Sequence, residues 1–412
     1  MVSRFHLRCI SCGSVYDYNE VSCECKKCGD LLAVEYNLEI LSSNIADKWR
    51  ERPLSVWKYR ELMPVEDYSK IVTLNEGGTP LYKCSNLASS LGIKNLYVKN
   101  EGANPTGSFK DRGMTVGVTK ALEFGMKVVA CASTGNTSAS LAAYASKAGL
   151  ECVVIVPGGN IALGKVAQAL IYGAHLVSIH GNFDEALEIV KRLSKEYPFY
   201  LLNSVNAFRL EGQKSIGFET IDQLNEVPDT VVLPVGNAGN VSAIWKGFTE
   251  LYKLGIIEKL PRMIGIQAAG AAPIVDAMKR GLSEIVPVVS PETVATAIRI
   301  GSPASWKKAL RALRESKGLA EVVTDQEILD AQSLLARKEG IFVEPASAAP
   351  IAGLKKLIND GVIDKDEVVV CVTTGNGLKD THIIVDRFAN AIMEVNADLN
   401  DIVNLLKKEH II

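Results

Sequence analysis

From about residue 95 onward, apolar residues fall in short β-like runs separated by stretches with a helical repeat. The runs are NLYVK (95–99), VVACAS (128–133), CVVIVP (152–157), HLVSI (175–179), FYLLNS (199–204), TVVLPVG (230–236), MIGIQA (263–268) and VVVCVTTG (368–375). Between most of them lie helix-like stretches such as SASLAAYASKAG (138–149), FDEALEIVKRLSKEY (183–197) and VSAIWKGFTELYKLG (241–255). Parallel strands need helical crossovers, so this alternation predicts an α/β architecture with mainly parallel sheets. Eight runs exceed one small sheet, which predicts two α/β domains. A polar, Trp-bearing stretch (44–68) and a Cys-rich segment (1–40) precede the alternation, and DLNDIVNLLKKEHII reads as a final docked amphipathic helix.

Composition narrows the function class. The 412 residues are 47% hydrophobic and 22% charged, ordinary for globular domains. A net charge of −2 and a pI near 6.3 offer no broad basic surface, which argues against nucleic acid and anionic membrane as partners. No apolar run approaches a bilayer span, and MVSRFHLRCI lacks the apolar core of a signal peptide, so a cytoplasmic protein is expected.

The chemistry sits in loops at strand ends, where open α/β sheets collect ligands. NPTGSFKDRG (104–113) is built of turn-formers around Lys110 and opens onto a helix, although a cation at a helix N-terminus opposes the macrodipole. STGNTS (133–138) is dense in small hydrogen-bonding side chains and either caps its helix through Thr137 or Ser138 or holds a carboxylate. GNAGN (236–240), again before a helix, reads as an anion cradle or a plain strand-to-helix turn. TTGNGLKD (373–380) offers the Thr374 hydroxyl before a glycine turn. An amine, a phosphate cradle, a carboxylate loop and a hydroxyl together suit a Schiff-base site for pyridoxal phosphate.

These blocks, with VPGGNIALGKVAQALIYGA, NSVNAFRLEGQKS and IRIGSPASW, resemble the fold type II (β-family) pyridoxal phosphate enzymes, and within them the threonine synthases, over residues 75 to 380. The resemblance implies tryptophan-synthase-β-like architecture: a large cofactor-binding domain (41–101 and 202–412) and a small α/β domain (102–201). It implies Lys110 as the Schiff-base lysine and, with Thr137, as the catalytic pair. Asn136 would meet the cofactor's O3′, Thr374 its ring nitrogen, and Gly236, Asn237, Ala238, Gly239 and Asn240 its phosphate. Ser133, Thr134 and Thr137 would hold the substrate carboxylate, and Asn203, Ser204 and Arg209 its phosphate. The implied reaction turns O-phospho-L-homoserine and water into L-threonine and phosphate by γ-elimination and β-addition, in a homodimer. A cysteate synthase (O-phospho-L-serine plus sulfite) or a threonine dehydratase-like β-elimination shares much of this pattern. A catalytically idle zinc-ribbon interaction protein is the reading from another class.

Five of the nine cysteines crowd into residues 9 to 28. Cys9-x-x-Cys12 and Cys25-x-x-Cys28, each pair followed by glycine, have the layout of a structural zinc ribbon, with Cys23 able to replace Cys25. A metal-free hairpin is the alternative. Of the four dispersed cysteines, Cys131, Cys152 and Cys371 lie inside apolar β-like runs and are expected as buried thiols; Cys84 lies outside them.

Overall fold

The computed structural model describes residues 3–41, 44–158, 163–181 and 183–412, so 159–162 of the VPGGNIALG block lie outside the described residues. The chain forms two compact units, Met1–Lys379 and Asp380–Ile412. The second holds helices His382–Phe388 and Leu399–Lys408; Asp398 starts the latter by accepting from the N–H groups of Asn400 and Asp401.

The first unit contains three sheets. The largest orders its strands Leu319–Val323, Arg262–Ala268, Thr230–Pro234, Val368–Thr373, Asn95–Asn100 and Leu81–Lys83. All neighbours are parallel except the last pair. The second, wholly parallel, orders His175–Ile179, Glu151–Pro157, Val128–Ala132 and Phe199–Leu201. The third is a small antiparallel sheet, Val15–Tyr16, Phe5–Cys9 and Leu32–Tyr36, within the Cys-rich segment. Strands such as TVVLP are buried along their whole length, as parallel strands covered on both faces must be.

All eight apolar runs form strands, but several stop short. Ser133, Asn203, Ser204, Gly236, Thr374 and Gly375 leave the sheets as loops. Leu319–Val323 escapes the hydrophobic pattern because it carries Glu321, paired with Lys279 at 2.7 Å and Lys356 at 3.2 Å. Cys131, Cys152 and Cys371 are buried, as expected, and so is Cys84.

Glycines set one helix crossing that matters for the site. Helix Lys110–Glu123 packs on helix Ala207–Gln213, and a Cβ on Gly212 would lie 1.7 Å from the Arg112 carbonyl oxygen. A Cβ on Gly113 would stand 2.9 Å from the Arg209 carbonyl, and one on Gly117 2.6 Å from Leu202 Cδ2. Only bare backbone allows this approach, which brings Lys110 and Arg209 to the same side of the crossing. Gly212→Ala is expected to cost about 3 kcal/mol of stability in denaturant unfolding, the upper range for overpacking. An unchanged midpoint would contradict the crossing.

Candidate active site

Sheet order brings the loops together. Thr230–Pro234, Val368–Thr373 and Asn95–Asn100 are neighbours in the large sheet, so GNAGN, TTGNG and the lysine loop emerge side by side from their carboxyl ends. The last two are stitched by backbone: Phe109 N–H donates to Thr374 O at 3.0 Å and Asn376 N–H to Gly107 O at 2.9 Å. STGN comes from the other sheet and is joined across by Asn136, whose Nδ2 lies 3.0 Å from both carboxylate oxygens of Glu344.

Lys110 is the first residue of its helix, where the macrodipole disfavours its charge. Asp111 in the same turn accepts from Thr106 N–H (2.7 Å), Thr106 Oγ1 (2.6 Å) and Ser140 Oγ (2.6 Å), which fixes the loop against helix Asn136–Ala148. The Lys110 amine makes no hydrogen bond or ion pair among the described residues and lies 4.3 Å from the Phe109 ring centroid. Burial, with the nearby Arg209 charge, pulls its pKa from 10.5 down to about 7, against an opposing pull from Glu344. Between those two pH values the unfolded chain holds a proton that the folded one has lost, so this group makes the unliganded protein more stable as pH rises through that window. Uptake of pyridoxal phosphate by the unliganded protein is therefore expected to accelerate with a midpoint near pH 7, followed by absorbance. A midpoint near the ordinary lysine value would contradict the buried placement.

GNAGN has the shape of an anion cradle. Ala238 sits at φ 62°, a left-handed conformation that is strained for alanine and turns successive N–H groups to one side. Helix Gly239–Lys253 follows directly. The Asn237 carbonyl accepts from Ser305 N–H at 3.1 Å, and a Cβ on Gly236 would stand 3.0 Å from the Ala297 carbonyl oxygen. Asn240 is 7% exposed, yet neither polar atom of its side chain has a partner; the buried hydroxyls of Ser305 and Ser108 are likewise unmet. Buried polar groups are normally satisfied, so such a concentration of orphans fits a polar ligand carrying phosphate. Gly135 in the STGN loop faces open space, with Ser133, Thr134 and Thr137 beside it in the chain.

Two buried arginines make the clearest contrast. Arg112, fully buried, meets Glu101 and Glu219 at 2.6–2.8 Å and also Ser215 and Thr79, and Lys99 joins the same network. That arginine is structural. Arg209 is 1% exposed, and none of its three guanidinium nitrogens has a partner. Burial lowers its pKa to about 10. An uncompensated buried cation is costly, which marks it for an anion. Asn203 is already engaged with the Ala132 backbone, as acceptor from N–H and donor to O at 2.9 Å each, leaving one Nδ2 proton free. Ser204 makes no hydrogen bond among the described residues. Glu344, Ser347, Ser305 and Ser108 belong to this constellation but were not singled out from sequence; their signals were an E-P-A-S helix start and serines inside quoted blocks.

The thiols of Cys9, Cys12, Cys25 and Cys28 all lie within 4.8 Å of one another. The Cys9–Cys28 and Cys12–Cys25 separations, 3.4 and 3.5 Å, approach the roughly 3.8 Å edge of a tetrahedral zinc–thiolate site. Gly13 and Gly29 adopt φ 71° and 76°, as the knuckle turns require. Cys23 stands outside the group and packs with Leu31 in a hydrophobic cluster that includes Val190 and Val205.

Residues 72–375 match the family described as pyridoxal-phosphate dependent enzyme. A threonine synthase of Methanocaldococcus jannaschii is 59% identical over 97% of this chain and 99% of its own length. One from Methanosarcina acetivorans is 61% identical over 93% and 94%, and one from Mycobacterium bovis 56% over 78% and 87%. Among solved structures, a fungal L-serine ammonia-lyase from Rhizomucor miehei superposes with a TM-score of 0.65 at 23% identity, covering 76% of this chain and 98% of that one. Maize serine racemase gives 0.64 at 21%, covering 76% and 92%. At such identities the two structures speak for the fold alone.

Proposed function

Since the chain belongs to the pyridoxal-phosphate dependent enzymes and, within them, to the threonine synthases, we propose that this site converts O-phospho-L-homoserine and water into L-threonine and phosphate. The observation that carries the reading is the unpartnered, buried Arg209 guanidinium close enough to Lys110 to depress its pKa. Pyridoxal phosphate, when bound, supplies an electron-accepting ring that stabilises negative charge at the substrate's carbons. Lys110 would hold it, Gly236–Asn240 would cradle its phosphate, Asn136 would meet its ring oxygen and Thr374 its ring nitrogen. Ser133, Thr134 and Thr137 orient the substrate carboxylate. Arg209, Ser204 and the spare Asn203 proton hold the phosphate that departs from Cγ. The neutral Lys110 amine takes the proton from Cα; a second proton then leaves Cβ as phosphate departs from Cγ, the hydroxyl of water adds at Cβ, and protons return to Cγ and Cα. Phosphate left against Arg209 is placed to activate that water.

The rival substrate differs by one methylene, worth about 1–3 kcal/mol of discrimination. The reading is tested by comparing kcat/KM for O-phospho-L-homoserine with that for O-phospho-L-serine plus sulfite. A preference of at least about tenfold for the first is expected; the reverse preference would make the protein a cysteate synthase.

Residues 102–201 form the smaller domain in this reading, supported by the four-stranded sheet lying wholly within 128–201. No helix among the described residues is long and apolar enough to cross a membrane. A cytoplasmic homodimer accompanies the family reading, and sedimentation tests the dimer. Cys9, Cys12, Cys25 and Cys28 hold a structural zinc, since four thiolates close the coordination shell. Chelation should remove one zinc per chain and lower the melting temperature by several degrees; a metal-free chain with an unchanged melting temperature would contradict this.

A further inference from the structure

Two buried hydroxyls meet behind the site. Ser347 lies on the first turn of helix Pro345–Asn359. Its Oγ is 3.0 Å from the nitrogen of Thr374, 2.7 Å from that of Gly375 and 2.8 Å from Thr374 Oγ1. A hydroxyl oxygen has two lone pairs and one proton. The two backbone N–H groups occupy both lone pairs, so only the Ser347 proton remains to face Thr374 Oγ1. Ser347 therefore donates and Thr374 accepts. The Thr374 proton is then unspent, in a side chain only 6% exposed that has no other partner among the described residues.

Glu344, just before the same turn, treats Asn136 alike. Both its carboxylate oxygens lie 3.0 Å from Asn136 Nδ2, and its own N–H donates to Gly375 O at 3.1 Å. A carboxylate can only accept, so this contact fixes which end of the Asn136 amide carries the protons. One proton shared between the two oxygens leaves the other available.

We propose that the Glu344–Ser347 turn is a positioning element that leaves Thr374 and Asn136 each with an unspent proton to donate toward the cofactor. The inference rests on the pyridoxal phosphate reading of the site. Ser347 acts through Thr374, which meets the ring nitrogen as a donor, so that nitrogen stays unprotonated. Glu344 acts through Asn136, which meets the ring oxygen.

A double-mutant cycle on cofactor affinity tests this, read as the dissociation constant of pyridoxal phosphate by absorbance titration of the unliganded protein. S347A and T374V are each expected to raise the constant about tenfold, the scale of one buried hydrogen bond. If Ser347 acts through Thr374, the double variant exceeds either single one by no more than about twofold. Ser347→Thr, which keeps the hydroxyl, should return to within about threefold of the parent. Effects that multiply to about a hundredfold, or an S347A protein binding as the parent does, would overturn the proposal. Should S347A fail to fold, the unsubstituted protein loaded with cofactor 15N-labelled in the ring answers the same question. A nitrogen shift of an unprotonated, hydrogen-bonded pyridine is expected, and a protonated ring would overturn the assigned donor direction. A parent protein that takes up no cofactor would instead bring down the reading of the site itself.

Discussion

Lys110→Ala is expected to cut kcat/KM on the order of 10⁴-fold or more while leaving the protein folded. One amine both holds the cofactor and moves the substrate's protons in this account. The next lysine in the neighbourhood, Lys379, is committed: its Nζ donates to Thr106 O at 2.7 Å and also to Gln168 Oε1. Removing Lys110 deletes no hydrogen bond or ion pair to a described residue, so stability should fall by little or rise slightly. Activity of the variant is followed by phosphate release and the covalent attachment by absorbance. A variant that keeps a covalently held chromophore, or more than a tenth of parental turnover, would remove Lys110 from its assigned place.

Arg209→Met is expected to separate function from stability. The guanidinium is buried with no partner, so an apolar side chain of similar length should raise stability by about 1–4 kcal/mol, the range seen when buried charges give way to packed apolar groups. The same change removes the only unpaired buried guanidinium among the described residues from the proposed phosphate site. KM for O-phospho-L-homoserine should rise about 10²–10³-fold, the scale of losing a buried charge partner. Inhibition by inorganic phosphate should weaken in parallel. Turnover should fall as well if retained phosphate activates the attacking water. Arg209→Lys should not rescue, because an ammonium lacks the planar fork that grips phosphate. A destabilised variant with unchanged KM would show that Arg209 is structural, as Arg112 is.

Much of this was legible in the chain because strand-end loops advertise themselves by composition. GNAGN, TTGNG and NPTGSFKDRG stand out as small, polar and glycine-rich after apolar runs, and the parallel sheet then makes them neighbours. The strand order that sets GNAGN, TTGNG and the lysine loop side by side was not legible, since it depends on contacts far apart in sequence. The arginine contrast was hidden too. Arg112 and Arg209 both sit in ordinary helical stretches, and only Glu101, Glu219 and Thr79, drawn from distant segments, reveal which one is paired. The Glu344–Ser347 turn carries in sequence only the signal of a proline-started helix. Its meaning lies in facing Asn136, more than two hundred residues away. In the Cys-rich segment, spacing favoured Cys25 but left Cys23 able to replace it, and the structure groups Cys25 with the other three thiols while Cys23 packs into a hydrophobic cluster. Leu319–Val323 was missed because a paired Glu321 broke the apolar run.

The most direct test of the central claim is the stoichiometry of products from O-phospho-L-homoserine with the cofactor-loaded protein. The account predicts phosphate and L-threonine released in equal amounts, with no oxo acid and no ammonia. Phosphate without threonine, or no turnover of this substrate alongside ready turnover of O-phospho-L-serine, would contradict it.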